Sequence, residues 1–175
     1  MATIGTLQRL SAASLSKMLL AAQEAAAAGD PSIAIIDVRD DDYIGGHIKG
    51  SQNVPSRTLD AMLPALVRQL QDKETVVFHC ALSQQRGPTA ALRYIRERER
   101  ILASLKGKKT ASGEKTPQAV REEGVVAAVS GEGSHEVKEQ KVYVLDRGFV
   151  GWQEAYGTDE RLTEGYCKEL WEDGY

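Results

Sequence analysis

With 175 residues, the chain has room for one α/β domain with a proper core and too little for two comfortable ones. A formal net charge of −3, with Lys and Arg scattered among the acids, excludes the basic stripe of a nucleic-acid-binding surface. The apolar runs stop well short of a bilayer span, the N-terminus lacks a signal-peptide pattern, and two cysteines cannot build a disulfide framework. The expectation is a soluble intracellular protein, cytoplasmic with the nucleus as a second location, that binds neither nucleic acid nor membrane.

Ser11 is placed to cap a first helix through Leu15, Met18, Leu19 and Ala22, with Gly29-Asp30-Pro31 to end it. Ile33 to Val38 reads as a buried parallel strand. Asp40-Asp41-Asp42 opens a loop, Gly45-Gly46 asks for unusual backbone angles, and Asn53-Val54-Pro55 is extended. A helical stretch is expected from about Thr58 to Gln71, broken near Pro64. Thr75 to Phe78 is the second clear strand and runs straight into His79-Cys80.

Pro88 suits the first turn of the next helix, which carries Ala91, Leu92, Ile95 and Leu102 on its apolar positions. From about Lys106 to Gln140 the composition turns to Gly, Ser, Lys and Glu, with only Val125 to Val129 apolar. This reads as a flexible insertion, or as a regulatory or docking segment. Lys141 to Leu145 resumes as a strand, and Gly148-Phe149 with Trp152 opens the last turn and helix. The whole chain, 1–175, is expected to form a single α/β domain, its mostly parallel sheet covered by helices on both faces.

The segment His79-Cys80-Ala81-Leu82-Ser83-Gln84-Gln85-Arg86-Gly87-Pro88 carries the chemistry. A strand ends, a cysteine follows at once, five residues intervene, then an arginine starts a helix. Backbone N–H groups of such a loop converge on one point, and the helix adds its positive N-terminal end. That surrounding stabilises a thiolate. Arg86 offers a planar fork that matches two oxygens of a phosphate-like group. Without this order of elements, Cys80 would read as a small buried hydrophobe and Arg86 as a surface residue.

His-Cys, five residues, then Arg-Gly-Pro resembles the active loop of rhodanese-like phosphatases of the M-phase-inducer type and of the related eukaryotic arsenate reductases. The likeness extends to Ile35-Ile36-Asp37-Val38-Arg39, to Tyr43 through Ser51, and to Asn53-Val54-Pro55, which are similar to the first signature of that family. Val142 through Trp152 is similar to its closing strand–turn–helix. Three segments in the family's order cover the domain apart from the insertion.

The resemblance implies a rhodanese-like three-layer fold with a central, mostly parallel five-stranded sheet. It makes Cys80 the nucleophile and Arg86 the transition-state clamp, with Ala81, Leu82, Ser83, Gln84 and Gln85 supplying backbone N–H groups. Rhodanese sulfurtransferases typically have a shorter loop, so the length here implies a four-oxygen anion. Ser83 either donates its hydroxyl to the sulfur or leaving group, or is simply a small polar residue suited to a tight loop. His79, on an alternating strand, should point away from Cys80 and be a buried structural histidine. His47 and Arg39 also look structural, and Asp37 is kept with His79 as a weak supporting candidate. Cys167 is either a resolving thiol or a solitary tail cysteine. No metal-ligand spacing is present, so neither a metal nor a resident cofactor is expected.

The phosphatases of this type carry glutamates directly after the cysteine and directly before the arginine; here those places hold Ala81 and Gln85. The loop therefore contains no general acid, and nothing in the sequence ties Asp40, Asp41 or Asp42 to it. A cysteine-dependent phosphatase acting on phosphorylated protein is the first expectation. Arsenate reduction with glutathione or glutaredoxin as thiol co-substrate is the alternative, since a small oxyanion makes fewer demands on an acid. Sulfur transfer and a non-catalytic binding module are lesser alternatives. The chain opens almost at the domain, which points to a small stand-alone enzyme rather than a long regulated one.

Overall fold

Val76, Val77 and Phe78 follow one another in the middle strand, and every position from Thr75 to His79 is buried, so that strand needs cover on both faces. The computed structural model describes residues 2–25, 32–110 and 138–174 and supplies that cover. Five parallel strands form the sheet: β1 (Gln8–Leu10), β2 (Ile33–Asp37), β4 (Gln52–Asn53), β5 (Thr75–His79) and β6 (Lys141–Leu145), in the order β1-β6-β5-β2-β4. The helices α1 (Ala12–Ala25), α2 (Leu59–Gln69), α3 (Arg86–Thr110) and α4 (Gly148–Tyr156) flank it. The step from β1 to β2 runs one way across the sheet, and the steps from β4 to β5 to β6 run the other way. Right-handed crossovers then place α1 on one face and α2 with α3 on the opposite one.

Strand alternation sorts the core into two layers. Ile36, Val76, Phe78 and Val144 pack with Leu59, Leu63, Leu66, Ala91 and Tyr94 of α2 and α3. Ile35, Val77 and Leu145 pack with Leu15 of α1 and with Phe149 and Trp152 of α4. Beyond β5, Cys80 falls in the α2–α3 layer, whereas His79 stacks near Phe149 in the other. The expected divergence of these two neighbours is observed.

Local signals act where expected at the start of α1, where Ser14 N–H donates to Ser11 Oγ at 3.1 Å. The expected break at Pro64 is not found, and α2 runs through it. The carbonyl that loses its partner belongs to Asp60, on an exposed turn where water can satisfy it. Leu59, Leu63, Leu66 and Val67 are buried along the same helix, each worth about 1.5–3 kcal/mol, which outweighs the roughly 3 kcal/mol that an interior proline costs.

α3 extends to Thr110, so the first part of the stretch read as an insertion is helical. A single glycine, Gly107, costs only about 1 kcal/mol among good helix formers. Most of that stretch, Val125 to Val129 included, lies outside the described residues, as does Gly29-Asp30-Pro31.

The helix opened by Gly148 is not the last. A short α5 (Lys168–Glu172) follows, along with an antiparallel pair between β3 (His47–Ile48) and β7 (Thr163–Glu164). His47 Nε2 lies 3.0 Å from Glu164 Oε2 in that pair, away from the cysteine loop, which agrees with its structural reading. Among the described residues no helix is long and apolar enough to cross a membrane.

Candidate active site

The loop from Cys80 to Gln85 joins the carboxyl end of the central strand β5 to the start of α3, the edge at which open α/β sheets place ligands. Cys80 is buried at 4% exposure, and its Sγ accepts a hydrogen bond from the Ser83 backbone N–H at 3.2 Å. Ser83 takes a left-handed conformation, φ 54°, which turns that amide inward. Its hydroxyl is buried and, among the described residues, has no hydrogen-bond partner.

The carbonyls of the loop are held on the opposite side. Phe149 N–H donates to the Cys80 carbonyl at 3.0 Å and Val150 N–H to the Ala81 carbonyl at 2.9 Å. These are first-turn amides of α4, groups that no helix can satisfy internally. Arg9 Nη2 donates to the Ser83 carbonyl at 3.2 Å. With the Cys80, Ala81 and Ser83 carbonyls held in this way, the Ser83 N–H is turned towards the sulfur.

Two close approaches depend on glycine. A Cβ on Gly148, whose φ is 55°, would stand 2.4 Å from both the Cys80 and Ala81 oxygens. A Cβ on Gly87 would meet His79 Cα at 3.3 Å and the Cys80 nitrogen at 3.4 Å. Leu82, Gln84 and Gln85 are exposed around the mouth, so the candidate loop residues Ala81 to Gln85 divide into a buried floor and an outer rim.

Arg86 opens α3 within electrostatic reach of the Cys80 sulfur. It is also tied to residues that the sequence did not connect with it. Nη1 donates to Asp42 Oδ1 at 2.7 Å and to Asp40 Oδ2 at 3.2 Å, and Nη2 donates to Asp42 Oδ2 at 2.5 Å. Asp40 is fixed in turn by Ser56 Oγ at 2.6 Å and by the Arg57 N–H at 3.1 Å. The Arg86 fork holds Asp42 far below the usual carboxylate range. Burial alone would push Asp40 up, but hydrogen bonds from Ser56, Arg57 and Arg86 outweigh it and leave Asp40 low as well. Both acids are therefore carboxylates at neutral pH.

These acids correct the expectation that nothing joins the Asp40–Asp42 turn to the loop. A signal existed: in a parallel sheet the turns after two neighbouring strands emerge at the same edge. What the sequence lacks is the strand order that makes β2 and β5 neighbours.

Asp37 and His79 stand behind the loop. Arg39 grips Asp37 through Nε at 2.9 Å and Nη2 at 2.7 Å, with both side chains fully buried. His79 Nδ1 lies 3.2 Å from the Cys80 carbonyl, and its Nε2 lies 3.8 Å from Asp37. Burial pushes the imidazole below its ordinary value, and the nearby Asp37 carboxylate only partly opposes this. Both candidates thus brace the strand end and do not reach the sulfur. Cys167 and Cys80 are free thiols, and Cys167 Sγ lies 3.3 Å from Glu169 Oε2. Among the described residues no group of His, Cys, Asp or Glu side chains is placed to hold a metal ion.

This fold and this loop define a class. The sequence profile of the Rhodanese-like domain matches residues 20–155, and the chain belongs to that family, in the branch shared by Cdc25-type phosphatases and arsenate reductases. The dual specificity phosphatase Cdc25 of Arabidopsis thaliana is 36% identical over 139 residues, covering 79% of this chain and 73% of that protein. Arsenate reductase 2.1 of Oryza sativa subsp. japonica is also 36% identical, over 145 residues that cover 82% of this chain and 71% of the relative. The solved structure of Ygr203w, a yeast protein tyrosine phosphatase of the Rhodanese family, matches with a TM-score of 0.63. It is 29% identical and covers 95% of this chain and 98% of that one. The sequence-based resemblance and the five-stranded parallel fold expected from it are both borne out.

Proposed function

We propose that this chain is a cysteine-dependent phosphatase of the protein tyrosine or dual-specificity type, working through a thiol–phosphate intermediate. The observation that supports it most directly is the Cys80 sulfur seated on an inward-turned loop amide, with Arg86 at the start of the following helix. The Cys80 thiolate attacks phosphorus, an S–P bond forms, and the P–O ester bond breaks with its electron pair on the departing oxygen. Water then attacks phosphorus, the S–P bond breaks, and inorganic phosphate leaves the regenerated thiolate. The loop amides and the Arg86 guanidinium stabilise the charge on the equatorial oxygens as each step passes its transition state.

A second reading, arsenate reduction, is favoured by one specific observation. The two acids that meet the loop, Asp40 and Asp42, are ion-paired carboxylates, and Ala81 and Gln85 carry no charge. An alkyl phosphate leaving group would lack a proton donor there, whereas an aryl phosphate or arsenate needs little help. In this reading the Cys80 thiolate displaces an arsenate oxygen, which leaves as water. A glutathione thiolate then attacks the Cys80 sulfur, the S–As bond breaks, and its electron pair reduces As(V) to As(III). A second thiol, from glutathione or glutaredoxin, reduces the resulting mixed disulfide.

Purified protein assayed in parallel with an aryl phosphate and with arsenate plus glutathione and glutaredoxin separates these readings, with Cys80→Ser as control. Cys80-dependent phosphate release is the expected result. Arsenite formation with negligible phosphate release moves the assignment to the second reading, and the absence of both activities overturns the enzyme assignment.

A further inference from the structure

A guanidinium carries five N–H donors in a fixed plane, and they can be followed one by one at Arg86. The end-on fork, one hydrogen from each Nη, is taken by the two oxygens of Asp42. The other Nη1 hydrogen goes to Asp40. Among the described residues, Nε–H and the outer Nη2–H have no protein acceptor. These two lie side by side on one edge of the plane and form a second bidentate fork, of the kind that fits two oxygens of a tetrahedral anion.

The acids holding the first fork are set independently of Arg86. Asp42 Oδ1 accepts the Asp40 N–H at 2.9 Å, so the turn fixes its own carboxylate. Asp40 is pinned by Ser56 and Arg57. Both carboxylates belong to the turn after β2, the strand paired to β5, so the mount and the loop rest on adjacent strands of one sheet.

We infer that Asp42, seconded by Asp40, is a positioning residue that locks the Arg86 guanidinium by one fork and leaves the Nε–Nη2 fork free for the oxyanion. This rests on the functional reading above and deepens it. Asp42 contributes binding and transition-state stabilisation only through Arg86. Its carboxylate raises affinity by orienting the clamp and does not compete with the substrate for it.

Steady-state kinetics with an aryl phosphate, together with calorimetric Kd values for inorganic phosphate, should be measured for wild type, Asp42→Asn, Arg86→Ala and the double variant, with thermal midpoints alongside. Asp42→Asn should lower kcat/KM roughly 10- to 100-fold and weaken phosphate binding, since a mis-set clamp is costly. In the Arg86→Ala background the same substitution should have no further effect, the signature of residues acting as a unit. Asp42→Glu, which keeps the charge, should recover part of the loss and provides a second test should the Asn variant fold poorly.

Tighter phosphate binding in Asp42→Asn would overturn the inference, because Asp42 would then be a competitor. An equal fold-loss in both Arg86 backgrounds would also overturn it, because the role would then be merely structural. A wild type without Cys80-dependent turnover that still binds phosphate more tightly than Asp42→Asn does would sink the functional reading and leave the mounting of Arg86 intact.

Discussion

Ser83 holds the sulfur of Cys80 through its backbone, at 3.2 Å from amide nitrogen to Sγ, and does so from a left-handed conformation. A side chain at such a φ costs about 1–2 kcal/mol that glycine does not incur. The Ser83→Gly variant keeps the amide and removes only the hydroxyl. It should retain turnover within a few-fold of wild type, with equal or higher thermal stability. A drop of about 100-fold in kcat, the scale of a lost general acid or donor, would instead assign the work to the hydroxyl.

Arg86 combines charge with planarity, and the two can be separated. Arg86→Ala should lower kcat/KM by about 10²–10³-fold, the usual scale for losing a transition-state donor. Arg86→Lys should recover only a small part, because a point charge can satisfy neither the Asp42 fork nor a second fork on the substrate at once. Full recovery in the lysine variant would show that charge alone suffices.

Replacement of Gly148 should damage the site from a distant part of the sequence. A methyl group there would overlap the Cys80 and Ala81 carbonyl oxygens and would also be strained at φ 55°. Gly148→Ala should lose about 1–3 kcal/mol of unfolding free energy from backbone strain alone. Activity should fall in parallel, since the loop can relieve the clash only by releasing its two carbonyl anchors. Denaturant titration and kcat/KM on the same preparation test this, and a stable variant with an undisturbed kcat/KM would refute it.

The burial of His79 predicts a pH dependence of stability with a definite sign. Burial holds its folded-state pKa below the ordinary 6.5, so between those two values the unfolded chain binds more protons than the folded one. The part of the stability linked to His79 is therefore fully present above about pH 6.5 and declines as pH falls below it, towards the folded-state value. Thermal midpoints measured between about pH 5 and 7.5 should slope downward in acid. The slope should flatten in His79→Gln, and an unchanged slope would place its origin elsewhere.

Much of the site could be read from the chain itself, because its elements are local. The apolar run into His79-Cys80, the five-residue interval and the Arg86-Gly87-Pro88 helix start lie within one segment, and each has a short-range physical reason. What was not legible depends on which strands become neighbours. Asp42 meets Arg86 only because β2 and β5 pair, a fact written in no local pattern. β1, three residues long and mostly exposed, offers no alternation to detect, yet it brings Arg9 to the Ser83 carbonyl. Pro64 misled for the opposite reason: the local rule was sound, but burial of the surrounding leucines overrode it.

The two carbonyl anchors from α4 have a consequence for how the site comes into being. Cys80 and Phe149 lie on opposite sides of the long stretch between α3 and β6, so the bond between them closes a large loop of chain. A nascent or partly folded chain that has built only the first half of the sheet holds a cysteine without its shaped surroundings. Docking of β6 and α4 turns that ordinary thiol into a directed one. The surroundings of Cys80 are in this way completed only when β6 and α4 dock, so the shape of the loop is also a marker of the finished sheet.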